Sequence, residues 1–254
     1  MCGDLTMHFV ATQPGNPHQL TKGQHIFPVA SLKRFCNSDG KLEARDTVKH
    51  TNFPVTPGTA IFKAKRAWDQ RAESGYMKRI EDGFNKIAVK IISLNTITVN
   101  EIEAISISLF YALWYFRSRN FIATADFSLK GVCPTTRYTE DEQERLERAG
   151  IAFIQGDASF PGRTVNGVAI QMKINRFIRD NQNVKRWGVL RSLEGEFLIP
   201  DVPKLMFIPI SPNMCLIASK NNGVLWSQNV EKINTITRST CRRYFFARNL
   251  VACP

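Results

Sequence analysis

The sequence lacks most of the motifs by which nucleotide-binding and zinc-binding enzymes are recognised. It has only four histidines, and its six cysteines are irregularly spaced with no C-x-x-C pair. A structural zinc site needs a cluster of closely spaced Cys and His ligands, so we expect none. The P-loop, the G-x-G-x-x-G loop, the H-E-x-x-H helix and the G-x-S-x-G elbow are also missing. A P-loop nucleotide hydrolase is therefore not predicted.

Long apolar runs are missing as well. The most apolar segment, residues 102–116, contains Glu103 and is shorter than the roughly 20 residues with which a helix crosses a bilayer. Residues 1–20 lack the positive-then-apolar pattern of a signal peptide. Disulfide frameworks are typical of shorter, secreted chains. We therefore expect reduced cysteines in a cytoplasmic protein that does not enter a membrane.

Negative charge is in short supply. The chain has 34 Lys and Arg against 22 Asp and Glu, a formal net charge of +12. An excess of this size suits the binding of nucleic acid or another polyanion, although a basic protein that is merely soluble has the same composition. The net positive charge therefore predicts a class of binding partner, and it does not predict a catalysed reaction.

The chain is long enough for one large domain. It has 254 residues, of which 43% are hydrophobic, ample for a core. Residues 1–23 contain Pro14, Gly15, Asn16 and Pro17 and are predicted to form a flexible N-terminal arm. Residues 24–254 are predicted to form a single α+β domain.

Apolar spacing predicts a pair of helices at the centre of the core. The first covers about residues 74–94, and its apolar positions recur at the spacing of one helical face. Thr98-Val-Asn-Glu101 has the pattern of a capping box and opens the second helix, which is apolar around most of its circumference. Because only a few residues join the two helices, we expect an antiparallel hairpin.

Shorter elements flank this hairpin. The predicted helices are residues 30–35, 139–149, 165–179 and a final helix that Asn229 caps and that runs to about residue 246. The predicted strands are residues 41–48 and 60–68, which form a ribbon, and residues 187–193, 197–199, 205–208 and 214–218. The fold class is therefore α+β, a central buried helical hairpin with a small N-terminal β-ribbon and a C-terminal antiparallel sheet plus final helix.

Several short elements follow one another in a fixed order along residues 24–249. They are His25 with Pro28, Leu32-Lys-Arg-Phe35, Asp39-Gly-Lys-Leu42, Glu81, Leu113-Trp-Tyr-Phe-Arg117, Phe197-Leu-Ile-Pro-Asp-Val-Pro203, Pro209-Ile-Ser-Pro212 and Asn234. Their order resembles a mainly prokaryotic family whose members share a domain of unknown function. One departure is Pro200, where the family often has serine. The resemblance implies no settled activity.

Four residues in these elements carry side chains suited to catalysis, namely His25, Glu81, Arg117 and Asp201. A histidine suits proton transfer near neutral pH, but His25 has the alternative of bonding to the backbone at the start of the first helix. Glu81 is predicted to pair with Arg117 on the neighbouring helix. Asp201 follows a predicted strand. It is a candidate catalytic or metal-binding carboxylate, and the alternative is a turn residue that bonds to nearby amides. The cofactor is left open, with a divalent metal ion as one alternative.

Two basic clusters are candidates for contact with a nucleic-acid backbone. The first contains Lys173, Arg176, Arg179, Lys185 and Arg186, and the second contains Arg238, Arg242, Arg243 and Arg248. Trp187 adjoins the first cluster, and aromatic residues 244–246 adjoin the second. Basic residues near aromatic ones suit single strands, through phosphate contacts and stacking. The alternative is a solvated helix face with the aromatic residues turned inward, which fits the last helix better.

These observations lead to alternative functions. In the first, the protein acts on nucleic acid as a nuclease-like effector in microbial conflict, and the four candidate catalytic residues converge in one cleft. In the second, a non-catalytic protein binds nucleic acid or an acidic partner through the basic clusters. In the third, the chain is an interaction subunit that needs a protein partner.

Overall fold

The computed structural model describes residues 11–94 and 98–254 and has the predicted α+β class. Its helices are α1 (Val29–Lys33), α2 (Gln70–Ala72), α3 (Lys78–Ser93), α4 (Glu101–Arg119), α5 (Glu140–Arg148), α6 (Gly162–Asp180) and α7 (Ser227–Thr240). A π-helical turn, Glu73–Met77, joins α2 to α3, and 3-10 turns cover Ala60–Phe62 and Leu250–Ala252. None of the described helices is long and apolar enough to cross a membrane.

The strands form two sheets of four and two pairs. They are β1 (Gly23–His25), β2 (Leu42–Asp46), β3 (Asn52–Val55), β4 (Lys63–Lys65), β5 (Phe127–Ser128), β6 (Ser159–Phe160), β7 (Trp187–Ser192), β8 (Ile199–Pro200), β9 (Phe207–Ser211), β10 (Met214–Ala218), β11 (Gly223–Leu225) and β12 (Tyr244–Ala247). One sheet has the order β11-β7-β10-β9 and the other the order β3-β2-β12-β8, while β1 pairs with β4 and β5 with β6. In the first sheet, β7, β10 and β9 are antiparallel, and β11 joins β7 in parallel.

The predicted helical hairpin lies at the centre of the core. Helix α4 packs against both α3 and α6, and the ring of Phe84 on α3 stacks on that of Phe110 on α4 with centroids 3.6 Å apart. The capping box lies two residues later than predicted, because Asn100 and Glu103 exchange the side-chain to backbone bonds. Asparagine is at least as good an N-cap as threonine, and Lys90 also holds the Glu103 carboxylate, at 2.6 Å.

The ribbon after α1 has a different second strand from the one predicted. Its strands are β2 and β3, whereas β4, within the predicted strand 60–68, pairs with β1. Pro54 concealed β3, because proline cannot donate to a ladder. Since β3 is the edge strand of its sheet, proline is tolerated there.

The prediction of a final helix running to residue 246 is wrong at its end. Helix α7 stops at Thr240, and β12 inserts between β2 and β8. Successive side chains of β12 point to opposite faces of the sheet. Tyr244 and Phe246 join the main core, whereas Phe245 and Ala247 join a small cluster on the other face. This alternation is that of a strand buried on both sides.

The expected N-terminal arm is described from residue 11 onwards. The amide of Gln13 donates to Glu144 Oε1 at 2.7 Å, the Ala11 carbonyl accepts from Arg66 at 3.0 Å, and Leu20 is buried. Residues 1–10 lie outside the described part of the chain. The mobility of the arm and the single-domain boundary stay predictions.

Asn234 fastens α7 to the rest of the chain. Its fully buried side chain accepts from the Leu198 amide at 2.9 Å and donates to the carbonyls of Glu196 and Pro254 at 2.8 and 3.1 Å. Asn229, expected to cap this helix, lies exposed in its first turn instead, and Trp226 occupies the N-cap position.

We predict that Asn234→Ala lowers the free energy of unfolding by about 2–4 kcal/mol, since it leaves several buried backbone groups without partners. Asn229→Ala on the same helix is the matched control, and its change should stay within about 0.5 kcal/mol. Urea denaturation measures both. Equal effects of the two substitutions would contradict the role of Asn234.

Candidate functional site: a polar hollow and a basic groove

Three of the four candidate catalytic residues come together beside the central hairpin. His25 ends β1, Glu81 lies in the first turn of α3, and Arg117 lies in the last turns of α4. His25 and Glu81 line a polar hollow of about 240 Å³ between the start of α1 and α3. The guanidinium of Arg117 bonds to both residues, and its side chain is only 1% exposed.

Arg117 is the centre of an ionic network. It pairs with the Glu81 carboxylate, as predicted, and with Glu73 at 3.3 Å, and it donates to the backbone carbonyl of His25 at 3.1 Å. Its guanidinium also lies 5.1 Å from the ring centroid of Trp68. A buried charge needs such partners to offset its desolvation. The network therefore ties β1, α3 and α4 together.

The His25 side chain bonds to the backbone, as in its structural alternative, but its partner lies in the loop after β3 and not at the start of α1. Its Nε2 lies 3.0 Å from the Pro57 carbonyl, and because a carbonyl only accepts, this nitrogen carries the proton. Burial lowers the pKa of His25 below its ordinary 6.5, and the positive charges of Lys63 and Arg117 lower it further, against the opposing effects of the Pro57 bond and Glu81. The imidazole is therefore neutral at pH 7.

Asp201 does not join the other three residues. It is buried in the loop after β8, where its carboxylate accepts from the backbone amides of Arg242 and Arg243 at 2.9 and 3.0 Å. The pairing of β8 with β12 directs this loop towards the turn between α7 and β12. The expected cleft of four residues is therefore not formed, and Asp201 has the bonding of a turn residue.

The hollow does not present a ready metal site. Within residues 11–94 and 98–254, no three His, Cys, Asp or Glu side chains are grouped so as to hold a metal ion. The carboxylates of Glu73 and Glu81 face Arg117, and that of Asp82 pairs with Lys78 at 2.8 Å. Two cations thus face three carboxylates, and each carboxylate that lines the hollow has a cationic partner, which favours a structural role for the hollow.

The first basic cluster is only partly a helix face, since Lys173, Arg176 and Arg179 are exposed on α6 whereas Lys185 and Arg186 follow its end. The side chains of Arg176 and Arg179 are 76% and 70% exposed, and both lie within 3.6 Å of Asp180. Trp187, the expected stacking residue, is buried, and its indole donates to Ser108 Oγ at 2.9 Å. The ring of Trp187 is therefore not available to stack on a base beside the first basic cluster.

The second basic cluster divides among several roles. Arg243 pairs with Asp201 and lies 4.3 Å above the ring of Phe121, and Arg248 pairs with Glu196. Arg242 is exposed, and Arg238 donates to the Cys253 carbonyl at 2.7 Å. Of these four, Arg238 lines a cavity that the sequence did not reveal.

This cavity is a groove of about 510 Å³ on the outer face of the sheet β3-β2-β12-β8. The hairpin of β2 and β3 supplies its polar side, and α7, β12 and the C-terminal 3-10 turn supply the rest. The lining residues are Arg45, Thr47, His50, Asn52, Leu198, Arg238, Phe245, Leu250 and Val251. None of these described lining residues is acidic.

The two arginines of the groove bond only to neutral partners. Arg45 donates to Asn52 Oδ1 at 2.9 Å, and Arg238 donates to a backbone carbonyl. No carboxylate in the described ranges forms an ion pair with either. Both guanidinium charges therefore remain available to an anion in the groove.

Sequence reasoning missed Arg45 and His50, and it named Phe245 only as one of the aromatic residues beside the second basic cluster. The available signal was the alternation in residues 42–46, which turns Leu42 and Ala44 inward and leaves Arg45 on the outer face. That face meets Phe245 only through the pairing of β2 with β12, in which Arg45 and Phe245 are partners although 200 positions separate them in the sequence. Reading residues 244–247 as a helix concealed this pairing.

We predict that stability depends on pH through His25. Because its pKa is lower when folded, its contribution is fully present above the unfolded pKa and is lost as the pH falls below about 6.5. His25→Gln should therefore flatten the fall in the free energy of unfolding towards pH 5.5 or so. Denaturant titrations across this range measure the slope, with exposed His50→Asn as control. Identical slopes for wild type and His25→Gln would contradict the prediction.

Comparison with known proteins does not assign the chain to a family. No family model matches the chain, and neither the curated proteins nor the solved structures include a match. The resemblance in the order of short elements stays a prediction.

Proposed function

We propose that the protein binds nucleic acid without cleaving it, and that the groove between the β2–β3 hairpin and α7 holds the phosphate backbone. The observation that carries this proposal is the pair Arg45 and Arg238, which face one groove whose described lining has no carboxylate. A guanidinium presents a planar set of donors that matches a phosphate, and it keeps its charge at every physiological pH.

Charges of both signs surround the groove, with Asp46 beside Lys49 and His50, and Glu43 bonded to the Leu250 amide. The cations are the more numerous. Lys49 and His50 are exposed in the turn of the β2–β3 hairpin. Arg242 is also exposed, and its backbone carbonyl accepts from Thr47, a lining residue. An excess of positive charge around a concave surface with low-dielectric walls focuses the field and attracts a polyanion.

The nuclease-like alternative has less support. A general base must reach the proton that it abstracts, yet the Nε2 of His25 is bonded to Pro57 and Asp201 is bonded to two amides. Glu81 is paired with the buried Arg117. The Nδ1 of His25 keeps its lone pair, but the carboxylates that line the hollow are paired with Arg117 or Lys78. Among the described lining residues, no unpaired acidic group therefore stands beside His25 to act with it.

We predict that Arg45→Gln combined with Arg238→Gln weakens binding of a fluorescent oligonucleotide at least about tenfold, because two guanidinium charges are removed from the groove. The dependence of affinity on salt should also flatten, by about one unit of slope for each phosphate that the variant no longer neutralises. Fluorescence anisotropy at several salt concentrations measures both. Arg148→Gln, an exposed arginine at the end of α5, is the control and should bind as wild type does.

Two results would contradict this proposal. One is unchanged affinity in the double variant, which would move the interface elsewhere, for example to Arg176 and Arg179. The other is cleavage of RNA or DNA by the purified protein that is abolished in Glu81→Gln, which would restore the nuclease-like alternative.

A further inference from the structure

The groove combines an apolar wall with a cationic rim, and this combination selects among nucleic acids. We infer that it takes one nucleotide of a single strand, with the base against Leu250 and Val251 and the flanking phosphates against Arg45 and Arg238. This inference rests on the proposed function and names the substrate class of the same site.

The shape of the site favours a single strand over a duplex. Proteins read a duplex by inserting a protruding helix or β-ribbon into its major groove, about 12 Å wide. Here the charged surface is concave, with a volume of about 510 Å³, within the range of roughly 300–1,000 Å³ typical of pockets for small ligands. A concave site of this size accepts one unstacked nucleotide, whereas a base pair inside a duplex stays out of its reach.

The C-terminal 3-10 turn supplies the apolar surface that an unstacked base needs. Phe245 and Leu198 line the bottom of the groove but are only 7% and 0% exposed, so the apolar surface open to a base is the wall formed by Leu250 and Val251. Val251 is 93% exposed, so its side chain is open to a ligand in the groove. Apolar and aromatic surfaces bind any base, because every base has a π-face.

The fold places the two cations on either side of the bottom of the groove. Arg45 belongs to β2 and lies directly opposite Phe245 in the pairing of β2 with β12. Arg238 belongs to α7, which packs against β8, the neighbour of β12 on its other side. The two arginines therefore reach the groove from elements on opposite sides of β12, where they can contact the phosphates that flank a bound base.

The test compares an unstructured oligonucleotide of about 12 residues with a duplex of the same length. Anisotropy should show the single strand binding at least about tenfold more tightly than the duplex. Val251→Ala should weaken single-strand binding about fivefold, because it removes apolar surface from the wall of the groove. The matched control is Val224→Ala, since Val224 is exposed on β11 outside the groove and its removal should change nothing.

The outcomes separate this inference from the proposed function. Equal binding of duplex and single strand, or full single-strand affinity in Val251→Ala, overturns the inference and leaves nucleic-acid binding intact. Failure of both oligonucleotides to bind overturns the proposed function as well. Single-strand preference that depends on Val251 but not on Val224 supports both.

Discussion

The fold and the groove both depend on the insertion of β12 between β2 and β8. This strand brings residues 244–247 against the N-terminal ribbon, and its alternation serves opposite faces. Tyr244 and Phe246 enter the main core, where the Phe246 ring lies 4.9 Å from that of Phe62. Phe245 points the other way and becomes the floor of the groove. One pairing therefore closes the core and creates the candidate binding surface.

The charged residues divide between structural contacts inside the protein and the groove. Glu147 accepts from both Arg66 and Arg163 at 2.7 Å inside the protein, and Glu81 and Glu73 are held by Arg117. Asp201 satisfies backbone amides. Arg45 and Arg238 form no ion pair with a carboxylate of the described residues and both face the groove. Arg238 belongs to the second cluster predicted from the sequence, whereas Arg45 lies outside both clusters.

Local patterns predicted the central part of the molecule well. The helical hairpin, its buried second helix and the Glu81–Arg117 pair follow from apolar spacing and from residues that neighbouring helices bring together. The failures are non-local. Residues 244–247 are aromatic enough to suit a helix stripe, and only their pairing with β2 makes them a strand. Asp201 was placed with His25 by chemical type, whereas the pairing of β8 places it beside Arg242. A groove built from β2, β12 and α7 has no continuous signature in sequence.

The most direct test of this account is hydrogen–deuterium exchange of the full chain with and without a single-stranded oligonucleotide. An oligonucleotide that binds the groove should slow exchange in residues 45–52 and 238–251, at its two walls, and leave residues 173–186 unchanged. Slower exchange confined to residues 173–186, or around the hollow of His25 and Glu81, would contradict the claim that the β12 pairing builds the binding site.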